Sequence, residues 1–190
     1  MTVTLLTSQS APTTTDADAL VTGVFQGQDG PVLTLSTDEI DLMAALTALG
    51  ATGKAEELTK IPTGGQLPAP VIVAVGLGPE PGAAADRQAY LERLRCAAGA
   101  AARDLTAAAP GSKGRAKRVA VALPAGEPDE AEAVALGALL GGYAFRKYRT
   151  ASAAPVESQG RSRPFHYFPE VSRERSKASL LFRSRTNGRP

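Results

Sequence analysis

Apolar residues recur along this chain with two periods, and the alternation of those periods lays out strands and helices in turn. Val3–Leu6 ("VTLL") is a short β-branched and apolar run that predicts a first strand. Ala19–Phe25 predicts a second, closed by the turn cluster "QGQDGP" with Gly27, Gly30 and Pro31, and Val32–Leu35 a short third. Val71–Val75 is an unbroken apolar run, the pattern of a central strand covered on both faces, and Val119–Leu123 repeats it.

The other period is helical. "STDEIDLMAALTALG" predicts a helix in which Ser36 and Glu39 have capping-box spacing, Asp38 and Asp41 suit the positive dipole end, and Gly50 suits the stop. The stretch 51–65 carries no period and predicts a loop or a broken element. In 86–105, Tyr90, Leu91, Leu94, Ala97, Ala98, Ala101 and Leu105 recur at threes and fours, and Pro110 and Gly111 follow the end. A last helix is predicted over 127–148, with Glu127, Asp129, Glu130 and Glu132 at its start and Arg146, Lys147 and Arg149 at its end. Its middle, Ala133–Phe145, is apolar nearly all round and predicts a buried helix. Gly141 and Gly142 each cost about 1 kcal/mol against Ala within a helix, so something is expected to approach closely there.

Strands and helices in this order predict an α/β domain, with a mixed sheet layered between helices. From Ser158 the periods stop. Arg and Ser dominate, with Pro164, Pro169 and Pro190 among them, which is the composition of a disordered tail. "ASLLF" (Ala178–Phe182) is too short to nucleate an element alone. The expected division is a folded domain over 1–156 and a basic tail over 157–190.

Composition sharpens this division. The chain has 190 residues, enough for one domain with a core and a tail. It is 43% hydrophobic but only 5% aromatic with no Trp, so Val, Leu and Ala are expected to build the core. Net charge is +2, yet residues 1–150 hold 13 Lys+Arg against 16 Asp+Glu, while 151–190 hold 8 against 3. The basic balance belongs to the tail and is no nucleic-acid footprint of the domain. One cysteine excludes an intrachain disulfide. No apolar run is long enough to span a membrane, and the N-terminus lacks the pattern of a signal peptide, so a cytoplasmic protein with no membrane partner is expected.

Candidate chemistry is sparse. "VGLGP" invites a dinucleotide reading, but Gly76, Gly78 and Gly82 miss the G-x-G-x-x-G spacing and Pro79 and Pro81 interrupt it; a glycine turn, at most a small-anion loop, is expected. Cys96 lies in a helix with no histidine in the domain to activate it, and reads as a structural thiol. "KGRAKR" (Lys113–Arg118) reads as a solvated basic loop, without the aromatic platforms of a nucleic-acid surface. The acids at 38, 39 and 41 and at 129, 130 and 132 are explained by helix starts and lack metal-site spacing. His166 stands alone in the tail and takes no role. These residues assemble no catalytic, cofactor-binding or metal site.

"VIVAVGLGP", "LRCAAGAAARDL", "VAVALP" and "AVALGALLGGYAFRKYRT", in that order and closing on Tyr143, Phe145 and Tyr148, resemble the N-terminal domain of the leucyl (cytosol) aminopeptidase family, peptidase M17, in an actinobacterial-like form. The likeness runs over roughly 3–156. It implies a macro-domain-like α/β layer that carries no catalysis. It also implies that two divalent metals, zinc or manganese, and their ligands belong to a larger C-terminal domain absent from this sequence. Whole members are expected to be hexamers that release N-terminal residues such as leucine from peptides. After 156 this sequence departs from the family pattern, and no catalytic residue carries over.

The expected function is therefore that of a truncated family member without peptidase activity of its own, with a shifted reading frame near codons 156–160 as the hypothesised origin. The alternatives are a macro-like module binding a nucleotide or ADP-ribose, and a DNA-binding accessory domain. Self-association is the partner expected, and nucleic acid is not.

Overall fold

The computed structural model describes residues 4–7, 10–35, 37, 40–82, 85–106, 118–143 and 164–167. Their strands are β1 (Thr4–Thr7), β2 (Ala19–Gln26), β3 (Pro31–Leu33), β4 (Leu58–Pro62), β5 (Val71–Pro79), β6 (Val119–Ala122) and β7 (Pro164–Tyr167). The helices are α1 (Leu42–Ala48), α2 (Arg87–Thr106) and α3 (Pro128–Gly141). The strands form one mixed sheet in the order β1-β7-β6-β2-β5-β4, with β3 on the β6 side of β2 beyond the end of β6. β2, β5, β6, β7 and β1 run parallel, while β3 and β4 are antiparallel to their neighbours.

The apolar runs that predicted central strands occupy the middle of the sheet. Side chains alternate across a strand, so each run supplies two cores. Ala19, Val21, Val73, Val75, Val119 and Val121 face α2 and α3, with Leu94, Ala98, Ala101 and Val134. Leu20, Val24, Ile72, Ala74, Ala120 and Ala122 face the other way, toward Leu42 and Leu46 of α1. The core is built from Val, Leu and Ala, as the composition requires.

Four expectations are corrected. α1 starts at Leu42, not at Ser36: Asp41 is its N-cap and accepts from Ala44 N–H at 2.9 Å, while Ser36, Asp38 and Glu39 lie outside the described residues. The unassigned stretch contains β4, whose run of polar and apolar residues is too short and too interrupted by Lys60 and Pro62 to show a period. The expected all-round burial of 133–145 fails: Leu136, Leu139 and Leu140 of α3 are exposed, and so is Tyr143 just beyond its end. Within the stretch expected to be a tail, Pro164–Tyr167 form β7, paired with β1 and β6 and carrying His166 in register with Leu6 and Ala120. Four residues between Arg- and Ser-rich flanks give a period nothing to repeat over. The other residues of 157–190 lie outside the described ones.

The expectation at Gly141 holds. A Cβ there would stand 2.2 Å from Gly99 O, and one on Gly137 2.1 Å from Arg95 O. The glycines let the backbones of α2 and α3 touch, so the packing offsets the helix-propensity cost. Gly50, at φ +70°, follows the end of α1 as expected of a helix stop.

Candidate functional site at the carboxyl ends of the strands

Open α/β sheets gather ligands beyond the carboxyl ends of their parallel strands. Here that region lies at the ends of β2 and β5 and at the starts of α2 and α3. "VGLGP" is not a turn after a strand: β5 continues through it to Pro79, with Gly78 at φ +73° close to the point where the pairing with β2 shifts register.

The glycines make room for the chain itself. The loop 52–57 lies directly against β5, with Gly76 N–H donating to Glu57 O at 2.8 Å, Glu56 N–H to Gly76 O at 2.9 Å and Gly78 N–H to Gly53 O at 2.9 Å. A Cβ on Gly76 would stand 1.7 Å from Lys54 O, and one on Gly53 2.5 Å from Phe25 O. Only residues without side chains allow three backbone segments to meet this closely.

One carboxylate organises that loop. Glu57 Oε2 accepts from Thr52 N–H at 3.0 Å, Thr52 Oγ1 at 2.9 Å and Lys54 N–H at 3.1 Å. Burial opposes its charge, but the hydrogen bonds from Thr52, Lys54 and Gly53 together outweigh it and hold the Glu57 carboxyl below the usual carboxylate range.

The helix starts are also matched internally. Arg87 Nε and Nη2 donate to Asp129 Oδ2 and Oδ1 at 3.0 and 2.6 Å, and Nη1 donates to Glu130 Oε1 at 2.8 Å. The two bonds to Asp129 make a bidentate clamp between α2 and α3. They hold the Asp129 carboxyl below its usual range and raise the Arg87 guanidinium above its own. Glu130 also accepts from Glu127 N–H at 3.2 Å, so one side chain caps α3 and joins the clamp. Arg87 and Arg93 flank the Tyr90 ring at 5.7 and 5.8 Å, and Arg93 Nη1 donates to Pro79 O at 2.6 Å.

The other sequence candidates lie elsewhere. Cys96 is half-buried and its thiol donates to Glu92 Oε1 at 3.3 Å. Residues 113–117 of the basic loop lie outside the described residues; Arg118 pairs with Asp16 at 2.5 Å and its N–H donates to Asp18 at 2.6 Å. Helix starts alone do not explain Asp129 and Glu130, because both bind Arg87. Arg87 and Glu57 drew no notice in the sequence. Arg87 carried a signal nonetheless: a base in the first turn of a helix opposes the dipole and calls for an acid from elsewhere. Glu57, in a loop, carried none.

The metal pair that the family resemblance implies does not fit here. Among the described residues no group of three or more His, Cys, Asp or Glu could hold a metal ion. The acids that do converge, Asp129 and Glu130, are bound to a guanidinium. Nor is any helix among the described residues long and apolar enough to cross a membrane.

Comparison with known proteins adds the relationship. The model of the cytosol aminopeptidase family, N-terminal domain, matches residues 21–152. A probable cytosol aminopeptidase of Streptomyces griseus is 48% identical over 153 residues, which cover 76% of this chain and 27% of that protein. Its counterpart in Streptomyces coelicolor is 41% identical over 166 residues, covering 84% and 30%. A solved structure of a mutant tomato leucine aminopeptidase is matched over 83% of this chain and 30% of that one, at 18% identity and a TM-score of 0.47. The chain thus spans less than a third of the length of the curated relatives it matches.

Proposed function

The chain belongs to the cytosol aminopeptidase family as its N-terminal domain, and from that premise we propose that it is the non-catalytic, structural domain of that enzyme architecture. On this reading the 190 residues hydrolyse no peptide by themselves, and act in the cytoplasm. Metal-dependent release of N-terminal residues belongs to the portion that the longer relatives have beyond this region. The observation that supports this best lies at the strand ends, where the glycine run is packed against the backbone of Lys54 and Gly53. A metal-assisted hydrolase must hold its ion and activated water in a fixed open geometry, and the acids here are spent on Arg87 and on the loop 52–57.

The test is hydrolysis of leucine p-nitroanilide by the purified chain with added zinc or manganese. No turnover above the buffer blank is expected. Robust turnover abolished by a chelator would contradict the proposal.

A ligand-binding module for a nucleotide or ADP-ribose is the rival reading. It requires the loop 52–57 to leave β5, which breaks three backbone hydrogen bonds. A ligand-dependent rise in melting temperature would favour it. We expect none.

A further inference from the structure

Strand β1 reaches the sheet through β7. β7 lies between β1 and β6 and runs parallel to both: Leu5, Leu6 and Thr7 stand opposite Phe165, His166 and Tyr167, and these stand opposite Val119, Ala120 and Val121. Among the described residues β1 pairs with no other strand. Neighbouring strands stand about 4.8 Å apart, so β1 lies about 10 Å from β6, too far for a ladder hydrogen bond across the gap. β1 in turn lays Leu5 and Leu6 against the core that the sheet shares with α2 and α3. Both strands fall outside the residues 21–152 matched by the family model. The central strands need neither of them, since β2 pairs directly with β5 and with β6.

We propose that the edge of β6 is an acceptor for an extended parallel strand, that the chain fills it with its own Pro164–Tyr167, and that this filling latches β1 into the sheet. Backbone carries the recognition. An open strand edge presents N–H and C=O groups that need partners, and a strand seated between two others supplies them on both sides. Pro164 suits the role, because a strand tolerates a missing N–H at its first residue. Because β2, β5 and β6 pair among themselves, the latch opens without loss of the domain. The two ends of the chain therefore order together: β7 brings β1 with it, and without β7 the N-terminal strand has no partner in the sheet.

Amide hydrogen exchange of the full chain reads the latch. Successive residues of a parallel strand bond to opposite sides, so alternate amides of β1, those facing β7, are expected to be protected in the wild type. Proline cannot donate to a ladder. Of Phe165→Pro and His166→Pro, one removes a bond to β6 and the other a bond to β1, and both are expected to speed exchange at the protected β1 amides at least about tenfold. Exchange in β2 and β5, and at the β6 amides that face β2, should not change. Ser176→Pro, beyond β7 in sequence, should leave every rate as it is. Free exchange throughout β1 in the wild type would overturn the proposal. So would β1 protection that survives both prolines, because the packing of Leu5 and Leu6 would then hold the strand by itself. Lost protection in β2 and β5 with either proline would make β7 part of the core instead of a latch, and an equal effect of Ser176→Pro would deny β7 its particular place.

Discussion

The carboxyl ends of β2 and β5 and the outer face of α3 are opposites. The first is where the fold leads one to look for a ligand, and the chain has filled it with its own backbone. The second is where an all-apolar helix leads one to expect burial, and it is exposed. Glycine separates the two cases. At Gly76 and Gly53 the missing side chains admit a loop, and at Gly137 and Gly141 they draw α2 onto one face of α3, which leaves the leucines for the other. Close approach is decided by what a residue lacks, and a count of apolar positions does not register it.

The strongest way to break this contrast is Gly76→Val. With Lys54 O only 1.7 Å from a Cβ, the loop must leave β5, and a loss of about 4 kcal/mol or outright failure to fold is expected in denaturant melts. Gly137→Ala forces α2 and α3 apart against Arg95 O, with an expected loss of about 2–3 kcal/mol in the same assay.

Glu57→Gln removes the charged acceptor that gathers the loop 52–57, and a loss of about 1–2 kcal/mol near neutral pH is expected. The folded state lowers the pKa of Glu57, so its contribution is full above the unfolded carboxylate pKa and fades as pH falls through the folded one. The gap between wild type and variant should accordingly close in acid; a gap constant with pH would mean that shape, not charge, is at work.

Thr22 is fully buried and its hydroxyl has no hydrogen-bond partner among the described residues, so Thr22→Val is expected to raise stability by about 1 kcal/mol. Smallest of all is Leu140→Glu on the exposed face, which should change monomer stability by no more than about 0.5 kcal/mol. A large loss there would show that the face is covered in the folded chain.

The sheet was legible where strands are buried on both sides. Val71–Val75 and Val119–Leu123 announced themselves because every position must be apolar. β4 and β7 did not, because an edge strand and a four-residue strand give a period too little to repeat over. Helix α2 was legible from its spacing to within a residue, whereas the start of α1 was misplaced because two acids and a serine all offered plausible caps. At the strand ends the glycines were visible but their purpose was not, since a loop distant in sequence fills the gap. The clamp of Arg87 on Asp129 and Glu130 joins residues more than forty positions apart and leaves no local pattern beyond a base at the wrong end of a helix.

Amide hydrogen exchange at Gly76, Gly78 and Glu56 tests the filled strand ends most directly. Their N–H groups bond to Glu57 O, Gly53 O and Gly76 O, so they should exchange as slowly as the central amides of β2 and β5, and ADP-ribose or nucleotide should leave their rates unchanged. Fast exchange at these three positions, or protection that changes when such a ligand is added, would contradict the account and return the region to the status of a binding site.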